Sequence, residues 1–265
     1  MTNKFSYIFI ILLCLYMFVP NGRLSAQVFS PGEELEYEVT FIGIRLGSVK
    51  IISEKIDSIS GRPVYKAVGY MNSRSGLPFV DLHAIFHTWA DTNFRRSQQF
   101  VGQIKITDER WDTQKIWFKQ DENKILNYKW HGKKQVRFDT ISTGIDVSDG
   151  LSLFFMARRF CGSKDSMKIS TLIDRELENS FLWFSDKKES VEVDIIPYPV
   201  RTSYFSGKAE WDGIYGISGE FEGWFSDDEA RVPIVAKMKV YVGSVRIELV
   251  KWKRKGWVPP KAKED

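Results

Sequence analysis

Cysteine is almost missing from this chain: 265 residues contain two, Cys14 and Cys161. Cys14 lies in an N-terminal leader, so after its removal Cys161 stands alone. No intramolecular disulfide then forms, even in a compartment that permits one. Following the apolar stretch LFFMARRF, Cys161 reads as a small buried hydrophobe. A reactive thiol would need a neighbouring base, and no His is near it in sequence. Histidine is nearly as rare, at three, which leaves a Ser-His-Asp triad few bases to draw on. There is no Gly-x-Ser-x-Gly elbow, phosphate loop or dinucleotide fingerprint. The chain also lacks a surplus of one charge. Of 38 Lys and Arg, Lys4 and Arg23 belong to the leader, and the remaining 36 face 34 Asp and Glu. So even a balance argues against a nucleic-acid surface.

Long apolar runs are confined to the start. Lys4 precedes an uncharged apolar run from Tyr7 to Val19, and Leu24-Ser25-Ala26 supplies small residues for cleavage before Gln27. This is the form of a secretory signal peptide spanning residues 1–26. The run is shorter than the roughly 20 residues of a spanning helix. Cys14 does not suit lipidation, because Leu13 before it is large and the cysteine sits inside the apolar run. The expectation is an exported chain, in the periplasm or cell envelope, with no integral membrane span after cleavage.

The remainder is rich in short alternating segments. Glu33–Phe41 (EELEYEVTF) sets Leu35, Tyr37, Val39 and Phe41 on one side and Glu34, Glu36, Glu38 and Thr40 on the other, the period of a half-buried strand. The parity switch after Gly43 suggests a bulge. Further strands are expected at Val64–Met71, Val80–Ala90, Arg95–Ile106, Gln114–Lys119, Lys124–Trp130, Gln135–Ile141, Met167–Ile173, Phe181–Phe184 and Ser190–Ile195. The stretch Gly219–Trp252 reads as three strands. Its hairpin is placed at Gly243-Ser244 in a type II′ turn, pairing Val242 with Val245, Val240 with Ile247 and Met238 with Leu249. Tyr241–Arg246 and Lys239–Glu248 fall on the other face. Leu46-Gly47-Ser48-Val49 echoes Val242-Gly243-Ser244-Val245, as if one turn were used twice. A single helix is expected over Leu151–Phe160, capped by Ser148 or Asp149, followed by Gly162 and largely buried. Arg158 and Arg159 suit its last turn. The fold class is mainly β: an antiparallel curled sheet or partly open barrel or β-roll, with one short buried helix. One domain covers 27–258, and a basic tail from Pro259 is expected to fray.

Few side chains suggest chemistry. His83 and His87 have i, i+4 spacing, but on a strand they lie about 13 Å apart, too far to share an ion. His131 precedes a turn glycine and reads as solvated. Asp227-Asp228-Glu229 lacks the spacing of a calcium loop and suits a tight strand connection with Arg231 as partner. Asp146, Asp149 and Asp165 read as caps and loop residues. No catalytic residue, metal set or cofactor is assigned. Aromatic residues make up 14% of the chain, enough to fill a core or to line an apolar concavity. Phe154, Phe155 and Trp224 are the candidate ligand contacts.

Three stretches carry a family resemblance: FSPGEELEYEVTFIGIRLGSVKI, DVSDGLSLFFMAR and GEFEGWFSDDEARVPIVAKMKVYVGSVRIEL. Together they resemble the DUF3108 family of exported bacterial proteins, the loop before Arg231 and Pro233 included. The resemblance implies an exported β-rich protein of a bacterium with an outer membrane, and supplies no activity or catalytic residue. The expected function is non-enzymatic binding of a lipid, another apolar envelope ligand, or a partner. The alternatives are an envelope carbohydrate-active enzyme using two carboxylates about 5–10 Å apart, and a structural envelope protein.

Overall fold

The computed structural model describes residues 28–77, 81–210, 219–240 and 243–263. Residues 1–27, with Cys14 and the expected cleavage site, lie outside them, as do Val80, Trp211, Tyr241 and Val242. Alternation and turn chemistry have produced a long meander. Its first part runs β1 (Glu33–Phe41), β2 (Ile44–Ile59), β3 (Arg62–Ser73), β4 (His83–Asp91), β5 (Ser97–Thr107), β6 (Arg110–Lys119), β7 (Lys124–His131) and β8 (Lys134–Ser142). A short β9 (Val147–Ser148) leads into helix α1 (Gly150–Phe160). The second part runs β10 (Ser166–Ile173), β11 (Glu176–Val191), β12 (Val200–Ala209), β13 (Gly219–Ser226), β14 (Pro233–Lys239) and β15 (Ser244–Lys253). All fifteen described strands join one sheet, in which β15 returns to pair with β1 and sets the two meanders side by side. Only β9 and β10 pair in parallel.

The sheet curls, and its pairing register separates an inward from an outward face. Leu35, Tyr37 and Val39 face inward with Ile51, Val49, Leu249 and Ile247, their direct cross-strand partners. The inner face is crowded enough to need glycine. A Cβ on Gly223 would lie 2.2 Å from the Phe205 ring, and one on Gly207 2.3 Å from the Phe221 ring. Each glycine gives the neighbouring strand's aromatic a place to lie flat. The far ends of the sheet approach through side chains. Val147 of β9 and Leu172 of β10 pack with Ile116, Phe118 and Ile125 of β6 and β7. The β10–β11 turn also reaches across: the Asp174 carbonyl accepts from Asn127 Nδ2 at 2.5 Å and Gln114 Nε2 at 3.0 Å, and its carboxylate binds Arg137 and Lys129. The result is barrel-like, without a closing ladder of hydrogen bonds.

Several expected details differ. The chain reverses after Phe41 through a two-residue turn, and the expected bulge lies just beyond it at Leu46, where the register shifts between the Val39–Gly47 and Thr40–Arg45 pairs. Ile42 (φ 47°) and Gly43 (φ 76°) are both left-handed, as a type I′ turn requires. Gly47-Ser48 lies within β2 and is no turn; a Cβ on Gly47 would meet the Asn72 carbonyl oxygen of β3 at 2.3 Å. The β14–β15 hairpin is displaced four places, with Lys239 opposite Ser244 and Met238 opposite Val245. An even displacement leaves each side chain on its expected face, so alternation alone does not choose between the registers. What chooses is β13, which pairs Trp224 with Val235 and anchors the other end of β14. Lys239 binds Glu220 at 2.6 Å, and Glu248 takes Arg246 of its own strand. The two strands expected between 181 and 195 are one, β11, interrupted by an irregularity between Phe184 and Lys188. The start of the tail is tied down: Arg201 N–H donates to Pro260 O, Ala262 N–H to Pro199 O and Tyr198 Oη to Pro259 O.

Candidate functional site

Helix α1 lies on the inward face and divides it into a sealed part and a half-open part. Asp149 is its N-cap, and its Oδ1 accepts the Leu151 and Ser152 N–H groups, each at 2.9 Å. Its Oδ2 accepts three hydroxyls: Thr88 and Ser97 at 2.6 Å and Ser152 at 2.8 Å. Thr88 and Ser97 belong to β4 and β5, so one buried carboxylate fastens the start of the helix to the sheet. At the other end Arg158 is wholly buried. Its guanidinium grips Glu33 of β1 at 2.7 and 3.2 Å and donates to the Ala230 and Arg231 carbonyls. Arg254, just after β15, also binds Glu33. Burial pushes the Glu33 carboxyl up, but the two guanidiniums outweigh it and hold the group below its usual range. Sequence reasoning missed this cluster. Its signal was present, since Glu33 shares the parity of Leu35 and Tyr37 and is therefore inward.

The sealed part of the inward face is aromatic. Phe155 stacks on Phe94 at 5.1 Å and touches Phe29 at 5.7 Å, and Phe29 stacks on Tyr65 at 4.3 Å. The half-open part lies over β2 to β5. Val49, Met71, Phe86 and Phe100 all point inward and remain half-buried. Phe86 and Phe100 stack at 6.0 Å. Leu151 approaches this wall closely, 3.4 Å from where a Cβ on Gly69 would stand. Phe154, one turn further along α1, is also half-buried and meets Phe155 edge-on at 5.1 Å.

The three expected contact residues therefore separate. Phe154 and Phe155 touch, but Phe155 is fully enclosed, and only Phe154 keeps an accessible edge. Trp224 lies on the opposite side of the sheet. Its neighbour Phe225 packs inward against Phe205, ring centroids 4.8 Å apart, whereas Trp224 packs on Tyr204 and Lys237 and donates to Glu189 Oε2 at 2.7 Å. The segment after β11 covers that outer side, with Asp194 N–H bound to Glu248 and Arg246 bound to the Glu192 carbonyl.

The other polar candidates have structural tasks. Asp227 binds Lys188 and Arg201. Asp228 Oδ1 accepts the Ala230 and Arg231 N–H groups and the Ser226 hydroxyl, and its Oδ2 takes the Trp257 indole. Arg231 (φ 47°) donates to the carbonyls of Arg158 and Arg159 at the end of α1. His83 and His87 sit on β4, His83 beside Asn72 and Asp81, while burial lowers the pKa of His87. Cys161 is buried beneath the Ser203 carbonyl, and burial pushes its thiol up to about 12, away from nucleophile chemistry. Among the described residues, no three His, Cys, Asp or Glu gather as a metal set.

The family model for DUF3108, described as a protein of unknown function, matches residues 36–250. The chain belongs to the DUF3108 family. Among solved structures, this DUF3108 chain is similar to a β-barrel-like protein of domain DUF1849 from Brucella abortus. The TM-score is 0.56 at 9% identity, over 83% of this chain and 96% of that one. Two further likenesses are weaker. One is to a protein described as exported, with a YmcC-like fold, from Bacteroides fragilis (TM-score 0.35, 8% identity, 85% and 97% coverage). The other is to a hypothetical protein from Chlamydia trachomatis (TM-score 0.34, 10% identity, 91% and 97% coverage). No curated protein matches the chain. The likeness to the Brucella structure concerns the fold alone and agrees with a curled, unclosed sheet.

Proposed function

We propose that this DUF3108 protein is exported and binds, without catalysing a reaction, a lipid or other apolar component of the cell envelope. The single observation behind this reading is the half-buried, inward-pointing apolar wall of Val49, Met71, Phe86 and Phe100, which Leu151 of α1 approaches at Gly69. An apolar, inward-facing surface left partly open, with few polar groups to orient a substrate, suits a hydrophobic ligand. The leader residues 1–26 support export. The carboxylates at the polar end of the interior are already engaged: Asp139 by Arg137 and Arg175, Asp174 by Arg137 and Lys129. That weighs against an acid/base pair there, since both carboxylates are taken up by ion pairs with Arg and Lys side chains.

The test is native mass spectrometry of the protein purified from an envelope fraction without detergent. Lipid-sized adducts are expected, and Met71→Trp, which fills the wall, is expected to remove them while leaving the circular-dichroism spectrum unchanged. Adduct-free spectra in repeated preparations, together with no uptake of a fluorescent fatty acid, would refute the reading.

A further inference from the structure

The outward face of β5–β8 differs from the rest of the exterior. By register, Trp111, Thr113, Lys115 and Trp117 of β6 point outward, as do Leu126, Tyr128 and Trp130 of β7 and Phe138 of β8. The ring contacts agree: Tyr128 stacks on Phe138 at 4.6 Å and lies 5.8 Å from Trp130, and Lys115 sits 4.8 Å from the Trp117 ring. Phe138 is 50% exposed and Val136 42%. The four strands carry two carboxylates, Asp112 and Asp139, and both occupy inward register positions. Their outward positions hold Lys105, Lys115, Lys119 and Lys124, and the exposed Gly132-Lys133 turn adds Lys133 near Trp130, while Lys134 stands opposite the inward-facing His131. Acids of the flanking turns take up three of these lysines: Asp108 pairs with Lys105 at 2.6 Å, and Glu122 with Lys119 at 3.0 Å and Lys124 at 2.5 Å.

We propose that this outward face, from Trp117 to the β7–β8 turn, seats the protein on a membrane surface rich in anionic lipid. Indole and phenol rings settle at the level of lipid headgroups, lysine stems lie along apolar surface with the ammonium in water, and anionic headgroups attract the lysines. Charge complementarity selects this occupant. A neutral apolar partner gains nothing from Lys115 and Lys133; no carboxylate of the four strands occupies an outward position, and the turn acids Asp108 and Glu122 are tied to lysines of the same face. The outward face of β1, β2 and β15 shows the contrast, for there strand carboxylates face outward: Glu34 and Glu36 pair with Lys50, Lys251 and Lys253, and Glu38 with Arg45. The inference is independent of what the interior binds.

The test is co-sedimentation of the leader-free protein with vesicles of phosphatidylcholine alone and with 30% phosphatidylglycerol added. Binding to the anionic vesicles only is expected, weakening with salt and accompanied by a blue shift of tryptophan fluorescence. Lys115→Gln and Lys133→Gln should each weaken binding about fivefold. Phe138→Ser, at a half-exposed position, should weaken it by a similar factor, while Lys50→Gln on the ladder face changes nothing. Equal binding to both vesicle types, no binding to either, or full binding by a Phe138→Ser/Lys133→Gln double variant overturns the proposal. So does capture of the face by a soluble glycan or protein with vesicles left unbound. A retained circular-dichroism spectrum shows that each variant is folded.

Discussion

Glu33 and Glu34 are neighbours on β1 with the same side chain, pointed in opposite directions. Glu33 is 2% exposed and held by Arg158 and Arg254. Glu34 keeps about a quarter of its side chain in water and meets Lys50 at 2.7 Å and Lys253 at 2.9 Å. Both are glutamates between two cations, yet their removal should have very different consequences. Inside, desolvation of each charge costs several kcal/mol, and the cluster persists because its members satisfy one another and the Ala230 and Arg231 carbonyls. Outside, water screens the pair before and after. The inner cluster also joins segments remote in sequence: the start of β1, the end of α1, the β13–β14 connection and the end of β15. The outer ladder only connects strands already hydrogen-bonded to each other.

The largest effect is therefore expected from Glu33→Ala, which strands two guanidiniums in the interior. A loss of about 3–5 kcal/mol is expected in urea unfolding, a fall of roughly 2–4 °C in Tm per kcal/mol for a chain of this size. A Glu33→Leu/Arg158→Met double variant should lose much less, because it removes both charges together. If Glu33→Ala costs under about 1 kcal/mol, the inner cluster does not hold the fold as argued. Asp149→Ala comes next. It strands the hydroxyls of Thr88, Ser97 and Ser152 along with two helix N–H groups, for an expected cost of about 2–3 kcal/mol. Hydrogen exchange should report this loss first in α1 and the facing parts of β4 and β5.

The sequence made one side of this comparison easier to see than the other. Strict alternation from Leu35 to Phe41 identified the inward face of β1, because a residue's parity decides its side whatever its partner. The same parity assigned Glu33 inward, but a charge at a strand's first position resembles a boundary more than a core residue. Its partner Arg158 lies 125 positions away, and nothing local marks the pair. Turn chemistry located Ser60-Gly61 and Gly132. It did not locate Ile42-Gly43, since a β-branched residue at positive φ is disfavoured and no rule nominates it. The β14–β15 hairpin was legible as to face and not as to register, which depends on β13 gripping Val235. Phe154 and Phe155 were legible as helix residues, but which of them stays accessible depends on Phe29 and Phe94, placed by distant loops. The face of Trp224 was not legible, because an aromatic strand residue fits either face until its neighbours are known.

Acid separates the two glutamates more finely. Glu33 titrates below its usual range in the folded state, so the unfolded chain takes up a proton first as pH falls. The stability it contributes is complete above the unfolded value of about 4.3 and is lost as pH drops from there through the folded value. His87 acts in the same direction at higher pH. Its depressed folded pKa means that stability declines once pH falls below about 6.5, where the unfolded imidazole gains its proton. Wild-type urea midpoints measured from pH 8 to pH 3 should show two declines, and His87→Phe should remove the upper one. A single decline in the wild type would mean that His87 does not contribute.

The smallest expected effect is that of Glu34→Gln, and it is the sharpest check on the comparison. Lys50 and Lys253 hold the Glu34 carboxyl down to about 2 through their hydrogen bonds. Converted directly, such a shift would imply a contribution rivalling that of the inner cluster. The ladder is exposed, however, and paired charges in water yield only about 0.2–1 kcal/mol. Glu34→Gln should lower stability at pH 7 by no more than that in dilute buffer. The difference should vanish near 1 M salt, where the screening length falls to about 3 Å. The Glu33→Ala deficit should persist at the same salt concentration, because no counterion reaches Arg158. A salt-sensitive deficit for Glu33→Ala, or a salt-insensitive one for Glu34→Gln, would mean that the direction a glutamate faces on β1 does not set what it contributes.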